Sequence, residues 1–182
     1  MTADYVDPRF PGPDPYAALD SIPNSITVTS TDFERGGQFA QAQLGGNDVS
    51  PQLTITNLPE GTKSLAITCF DPDAPTAAGF WHWAVCNIPA DMTEIPTGHG
   101  DATFGNTPGA LVLHGDGGKQ GYYGPQPPAG HGPHRYLFAV HALDTEKLDL
   151  DENTTPTVLG FNLYFHSIAR GITWGWHENH AE

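Results

Sequence analysis

Two groups of residues have the types and spacing to do chemistry. The first is Asp71-Pro72-Asp73-Ala74-Pro75, followed by His82 between Trp81 and Trp83. Two carboxylates at i and i+2 are set here between prolines, which fix φ and push each preceding residue out of the helical region, so the turn has a pre-set shape. Such aspartates can accept backbone N–H bonds within the turn, or they can serve a neighbouring histidine. The second group is Gly121-Tyr122-Tyr123-Gly124-Pro125-Gln126-Pro127-Pro128-Ala129-Gly130, leading into His134-Arg135-Tyr136. Glycines let a backbone approach a ligand and present N–H groups to an anion. On a strand, His134 and Tyr136 share one face and Arg135 takes the other, where a structural salt bridge to an aspartate of the first group is the preferred reading.

Three chemistries compete for these residues. Binding of a small phosphate-like anion uses the imidazoles, the Tyr136 hydroxyl and backbone N–H groups near Gly124 as donors. A hydrolase or lyase would use Asp, His and Tyr as acid and base, but no G-x-S-x-G elbow is present and neither Cys69 nor Cys86 sits at a loop or helix start. A metal-binding protein could draw on His131, His134, Asp71, Asp73 and His82, yet no H-E-x-x-H or C-x-x-C spacing occurs. The expectation is therefore an anion binder rather than an enzyme, with no metal and no cofactor.

The elements that position these groups read mainly as strands. Segments 25–30, 52–57, 64–70, 82–88, 110–114 and 136–143 alternate or run apolar, and Gly, Pro, Asn and Asp clusters separate them. Their near-even spacing without intervening helices predicts an antiparallel sandwich or barrel. One helix is expected: Val158, Phe161, Phe165, Ile168 and Ile172 form a stripe, after a Thr155 cap and Pro156 and before a terminal Gly171. A shorter helix is weakly indicated at 143–148. Residues 1–24 read as an extended proline-rich arm and 25–182 as a single domain. Residues 115–133 hold Gly or Pro at eleven of nineteen positions and form a loop of functional length.

Composition narrows the functions. Seven Lys and Arg against 21 Asp and Glu give a net charge of −14, which repels nucleic acid and anionic lipid surfaces. Screening over roughly 8 Å still permits a small anion to bind through local donors. No run of 18 apolar residues exists to span a membrane, and the first twenty residues lack the basic start and apolar stretch of a secretory signal. A cytoplasmic location with both cysteines reduced and buried is expected.

The DPDAP turn, the WHW followed by Asn87-Ile88-Pro89, and the Gly/Pro loop closing on HRY together resemble the phosphatidylethanolamine-binding protein family, in its bacterial branch similar to Raf kinase inhibitor protein. The resemblance runs from about residue 25 to 176, and the phrases GFWHWAVCNIPA and LGFNLYFHSIARGITWGW are most like actinobacterial forms. It implies a large antiparallel sheet packed on a smaller one, one or two peripheral helices, and a pocket for phosphate-like anions such as phospholipid headgroups. Carried onto this chain, the pocket is Asp71, Asp73, His82, Gly124, His134 and Tyr136, with Trp81 and Pro125 or Pro128 as walls. It also implies a regulatory role with a protein kinase or other signalling protein as partner, a homodimer, and a cis Ala74–Pro75 peptide. Two departures stand out: Gln126 replaces a cysteine frequent in bacterial relatives, and the chain stops soon after Trp176, without the added helix of animal members. For two aspartates to tolerate an anion, they should hold His82 or His134, raising the imidazole pKa so that protonated rings donate to the ligand.

Overall fold

The computed structural model describes residues 2–182. Eight strands and one α-helix run in order: β1 Thr27–Thr29, β2 Leu53–Thr56, β3 Ser64–Asp71, β4 Phe80–Pro89, β5 Glu94–Ile95, β6 Leu111–Val112, β7 His134–Leu143, α1 Pro156–His166 and β8 Ser167–His177. They form a three-stranded sheet, β1-β2-β5, and a five-stranded sheet, β6-β4-β3-β7-β8, with every strand pair antiparallel. This is the expected mainly β architecture of a large sheet on a small one. The central strands β3 and β7 are buried along their whole length, which explains their near-continuous apolar sequences.

Alternation along the strands divides the core. Leu65, Ile67, Cys69, Phe138 and Val140 face inward against Val28, Leu53 and Ile55 of the small sheet. The outer face has two covers. Residues 2–24 lay Tyr5, Phe10 and Tyr16 on Leu137, Ala139, Ile172 and Trp174, while α1 lays Leu159 and Leu163 on Ala66, Ala84 and Cys86.

The helix differs from its expected form. Thr155 caps it by accepting from the Val158 N–H at 3.2 Å, and Pro156 opens it. It nevertheless buries Pro156, Leu159 and Leu163, leaving Val158, Phe161 and Phe165 exposed. The expected stripe is out of phase because it crosses the junction between helix and strand. Its last two members, Ile168 and Ile172, belong to β8, where Ile172, Trp174 and Trp176 alternate at period two, and the helix ends at His166 rather than at Gly171. Gly171 lies in β8 against the backbone of Ile26. No helix forms at residues 143–148, and β5 is too short to show a pattern in the sequence. The Ala74–Pro75 peptide is trans, against the expectation of cis. Among the described residues no helix is long and apolar enough to cross a membrane.

This packing has two measurable consequences. Leu163→Ala should lower stability by about 2–5 kcal/mol in urea titration, whereas Phe165→Ala should change it by less than about 0.5 kcal/mol; the reverse order would mean that the other face is buried. His141, fully enclosed on the outer face, is pushed down to about 3 from 6.5 by burial and by the Arg170 charge. The unfolded chain therefore takes up a proton that the folded chain refuses, and stability present above pH 6.5 is lost as pH falls toward 3. The slope of stability against pH in that window should flatten in His141→Leu.

Candidate functional site

The turn after β3 assigns its two aspartates different tasks. Asp71 accepts the Asp73 N–H on Oδ1 at 2.8 Å and His134 Nδ1 on Oδ2 at 2.7 Å. Asp73 turns away to the buried Arg135. Its Oδ2 accepts from the Arg135 N–H at 2.7 Å and Nε at 2.9 Å, and its Oδ1 accepts from Arg135 Nη2 at 2.8 Å and the Gly12 N–H at 2.7 Å. The expected ion pair of Arg135 with this turn is thus present.

His82 reaches the site through an irregularity. Cys69 pairs with Trp83 and Phe70 with Trp81, so His82 is an extra residue on β4. Trp83 packs in the inner core, and strict alternation would send His82 outward. The bulge re-aims it to the inner side and leaves Trp81 on the outer face, packed against Phe70 with ring centroids 4.3 Å apart and the rings tilted by 43°. The His82 Nδ1–H donates to the Tyr123 carbonyl at 2.6 Å, leaving Nε2 as the free ring nitrogen.

These elements enclose a cavity of about 300 Å³. Asp71, His82, His134, Tyr136 and Pro128 line it, as do Pro75, Phe80, Tyr123, Gln126 and Pro127. Four of the expected pocket residues lie elsewhere. Asp73 is consumed by Arg135, and Trp81 is on the opposite face of the sheet. Gly124 gives its N–H to Asp48 Oδ1 at 2.8 Å, and a Cβ there would run into the backbone of Gln43 and Gly45, so the glycine permits loop-to-loop contact rather than an anion nest. Pro125 turns its carbonyl to the Gly45 N–H. Among the lining residues absent from the expected set, Phe80 has a signal in the sequence, as an aromatic adjoining WHW, and so does Tyr123, beside Gly124 in the loop.

The site's electrostatics differ from expectation at His82. Burial lowers its pKa below 6.5, outweighing the carbonyl bond and the Asp71 charge that raise it. The resting ring is therefore neutral, with a lone pair on Nε2. The Tyr136 hydroxyl is held protonated by burial and by the Asp71 charge. His134 Nε2 lies 2.8 Å from His131 Nδ1, which completes a chain from Asp71 through two imidazoles. Burial raises the Cys86 thiol to about 12 and Cys69 well above its usual value, so neither supplies a thiolate. Among the described residues no group of three or more His, Cys, Asp or Glu side chains is arranged to hold a metal ion.

Comparison with known proteins gives the lineage. The family model for phosphatidylethanolamine-binding protein matches residues 29–175. The chain belongs to that family. It is 48% identical over 124 residues to the YbhB protein of Escherichia coli, covering 68% of this chain and 78% of that one. Identity to the E. coli YbcL protein is 43% over 153 residues, 80% of this chain and 83% of the relative. The crystal structure of YbcL, described as a new member of the mammalian family, superposes with a TM-score of 0.80 over 85% of this chain and 98% of that chain, at 38% identity. A Chlamydia trachomatis homolog, described as a putative member, gives 0.72 at 27% identity, covering 86% and 99%. Neither the phosphatidylethanolamine-binding protein family nor any of these relatives is named for a catalysed reaction.

The Asp73–Arg135 pair is the site's fixed point. Asp73→Ala leaves the guanidinium buried without its carboxylate, and should cost about 3–5 kcal/mol in chemical denaturation. A loss below about 1 kcal/mol would show that the pair does not secure the turn.

Proposed function

We propose that this chain is a binding and regulatory module whose cavity takes a small phosphate-bearing anion, either a free phosphate ester or a phospholipid headgroup. The observation that carries this reading is that His82, whose Nε2 is free, and Tyr136 line one small chamber together with Asp71, His134 and Gln126, among the apolar walls of Pro75, Phe80, Pro127 and Pro128. Among the described residues no protein group bonds to the Tyr136 hydroxyl, so it is free to donate. Asp71, the one carboxylate on the wall, is already engaged by the Asp73 N–H and His134, which removes much of its repulsion toward an anion. Family membership supports the same ligand class, and a kinase or other signalling protein would be the partner that reads occupancy of the cavity.

Binding should couple to protonation of His82. An anion favours the charged ring, whose pKa is depressed in the free protein, so affinity should keep rising as pH falls below 6.5 rather than levelling there. Sulfate, which keeps its charge in this range, separates ring protonation from that of phosphate itself. Calorimetric titration with sulfate from pH 7.5 to 5.5 should show steadily tighter binding, and His82→Ala should abolish the trend. A flat profile, or one unchanged in His82→Ala, contradicts the assignment. O-phosphoethanolamine and vesicles containing phosphatidylethanolamine then distinguish a soluble ester from a headgroup in a membrane.

A further inference from the structure

The exposed large apolar side chains of this protein are concentrated on one face. Val158, Phe161, Tyr164 and Phe165 of α1 are exposed, Phe161 by 69% and Phe165 by 62%, and among the described residues Val6 is the one other large apolar side chain left open. Phe165 meets Phe161 and Tyr164 edge-on, with ring centroids 5.3 and 5.1 Å apart, so the aromatics form a continuous ridge. Beside the ridge, where the N-terminal arm and α1 do not meet, the outer face of the large sheet opens into a groove of about 480 Å³. Its walls include Leu19 and Ile22 from the arm, Phe70 and Trp81 from the sheet, and Gly160 and Leu163 from the helix. Apolar side chains scattered singly over a surface need no explanation, but a ridge contiguous with a groove marks a place for a partner.

Charge indicates which partner. The helix itself carries no Lys, Arg, Asp or Glu, whereas acidic residues border the groove. Asp20 follows Leu19 on the arm, Asp149, Asp151 and Glu152 lead into the helix, and Asp116 accepts the Trp81 N–H at 2.8 Å; all five are exposed. Residues 10–26 of the arm hold no Lys or Arg, and residues 144–166 hold Lys147 alone against five carboxylates. A second copy of the chain would bring these like charges together, and the net charge of −14 repels an anionic membrane as well. A cationic segment is drawn to the same rim while its apolar side fills the groove.

We propose that the α1 face docks a basic amphipathic helix of a partner protein, with its apolar anchors on the Phe161–Phe165 ridge and in the groove and its Lys and Arg side chains toward the acidic border. The dimensions agree. The groove follows α1 from Thr157 to Phe165, about 12 Å at the helical rise, and anchors at i, i+3 or i+4, and i+7 span about 10 Å. This surface is on the outer side of the sheet, apart from the anion cavity, and its use does not depend on the ligand bound there.

The probe is a Lys/Leu peptide of about 15 residues patterned as an amphipathic helix, titrated into the full chain by calorimetry and by tryptophan fluorescence. Two control peptides separate the contributions: one keeps the Lys residues and replaces every Leu with Ser, and the other keeps the Leu residues and replaces every Lys with Glu. One Lys/Leu peptide should bind per chain, the Lys/Ser peptide at least tenfold more weakly, and the Glu/Leu peptide not at all. Phe161→Ala combined with Phe165→Ala should weaken binding tenfold or more with the melting temperature unchanged, since both rings are exposed. Asp149→Asn, Asp151→Asn and Glu152→Gln together should weaken it about three- to tenfold at low salt, with the difference shrinking in 1 M salt, where charges are screened beyond about 3 Å. Absence of saturable binding, equal affinity for the Lys/Ser peptide, or affinity unchanged by the double Phe substitution overturns the proposal. So does sedimentation showing that Phe161 and Phe165 hold two copies of the chain together.

Discussion

The structure depends on one buried ion pair. Arg135 and Asp73 are both removed from water, a costly placement unless each charge is fully bonded. Here the guanidinium donates to both Asp73 oxygens and to the Tyr5, Gly12 and Pro13 carbonyls, so each of its three nitrogens is bonded. The pair therefore joins three parts of the chain that are far apart in sequence: the turn after β3, the start of β7 and the N-terminal arm. With the turn fixed, Asp71 is in place for His134. With the arm fixed, Tyr16 and Leu19 stand beside the second cavity.

Burial rather than charge governs the behaviour of the site. A net charge of −14 sets a repulsive long-range field, yet the groups around both cavities are predominantly neutral or mutually paired. His82 and His141 are held below the usual histidine range by desolvation, and Tyr16 and Tyr136 are held protonated by it. The inner cavity therefore presents imidazoles and tyrosine side chains, with Asp71 as its one carboxylate. Under the proposed function, the neutral state of His82 makes proton uptake part of anion binding, where its expected charged state would have made binding less sensitive to pH below the histidine range.

Side-chain direction on the sheet separates two cavities with a single backbone. Asp71, His134 and Tyr136 face inward by simple alternation, and Phe70, Thr68 and His141 face outward by the same rule. The bulge at His82 is the exception that adds an imidazole to the inner set while keeping Trp81 in the outer one. Without that extra residue the inner cavity would lose its free ring nitrogen.

The sequence by itself determined the antiparallel β architecture, strands over 64–70 and 136–143, which the structure extends to 64–71 and 134–143, and the Thr155–Pro156 helix start. Each is encoded locally, in period-two patterning, in caps or in the shape that proline imposes. The family resemblance carried by the DPDAP, WHW and HRY motifs also gathered Asp71, His82, His134 and Tyr136 into one pocket. Only the tertiary structure decided which aspartate faces the cavity, because both are alike in the turn and Arg135, 62 residues away, claims one of them. It likewise showed that Gly124 accommodates a neighbouring loop and that Trp81 lies across the sheet, facts set by a remote backbone and by a bulge. The helix face was out of reach for a related reason: a stripe drawn across the helix–strand junction mixes two periodicities. Contacts with Ala66, Ala84 and Cys86, rather than the exposed aromatics, select the side that is buried.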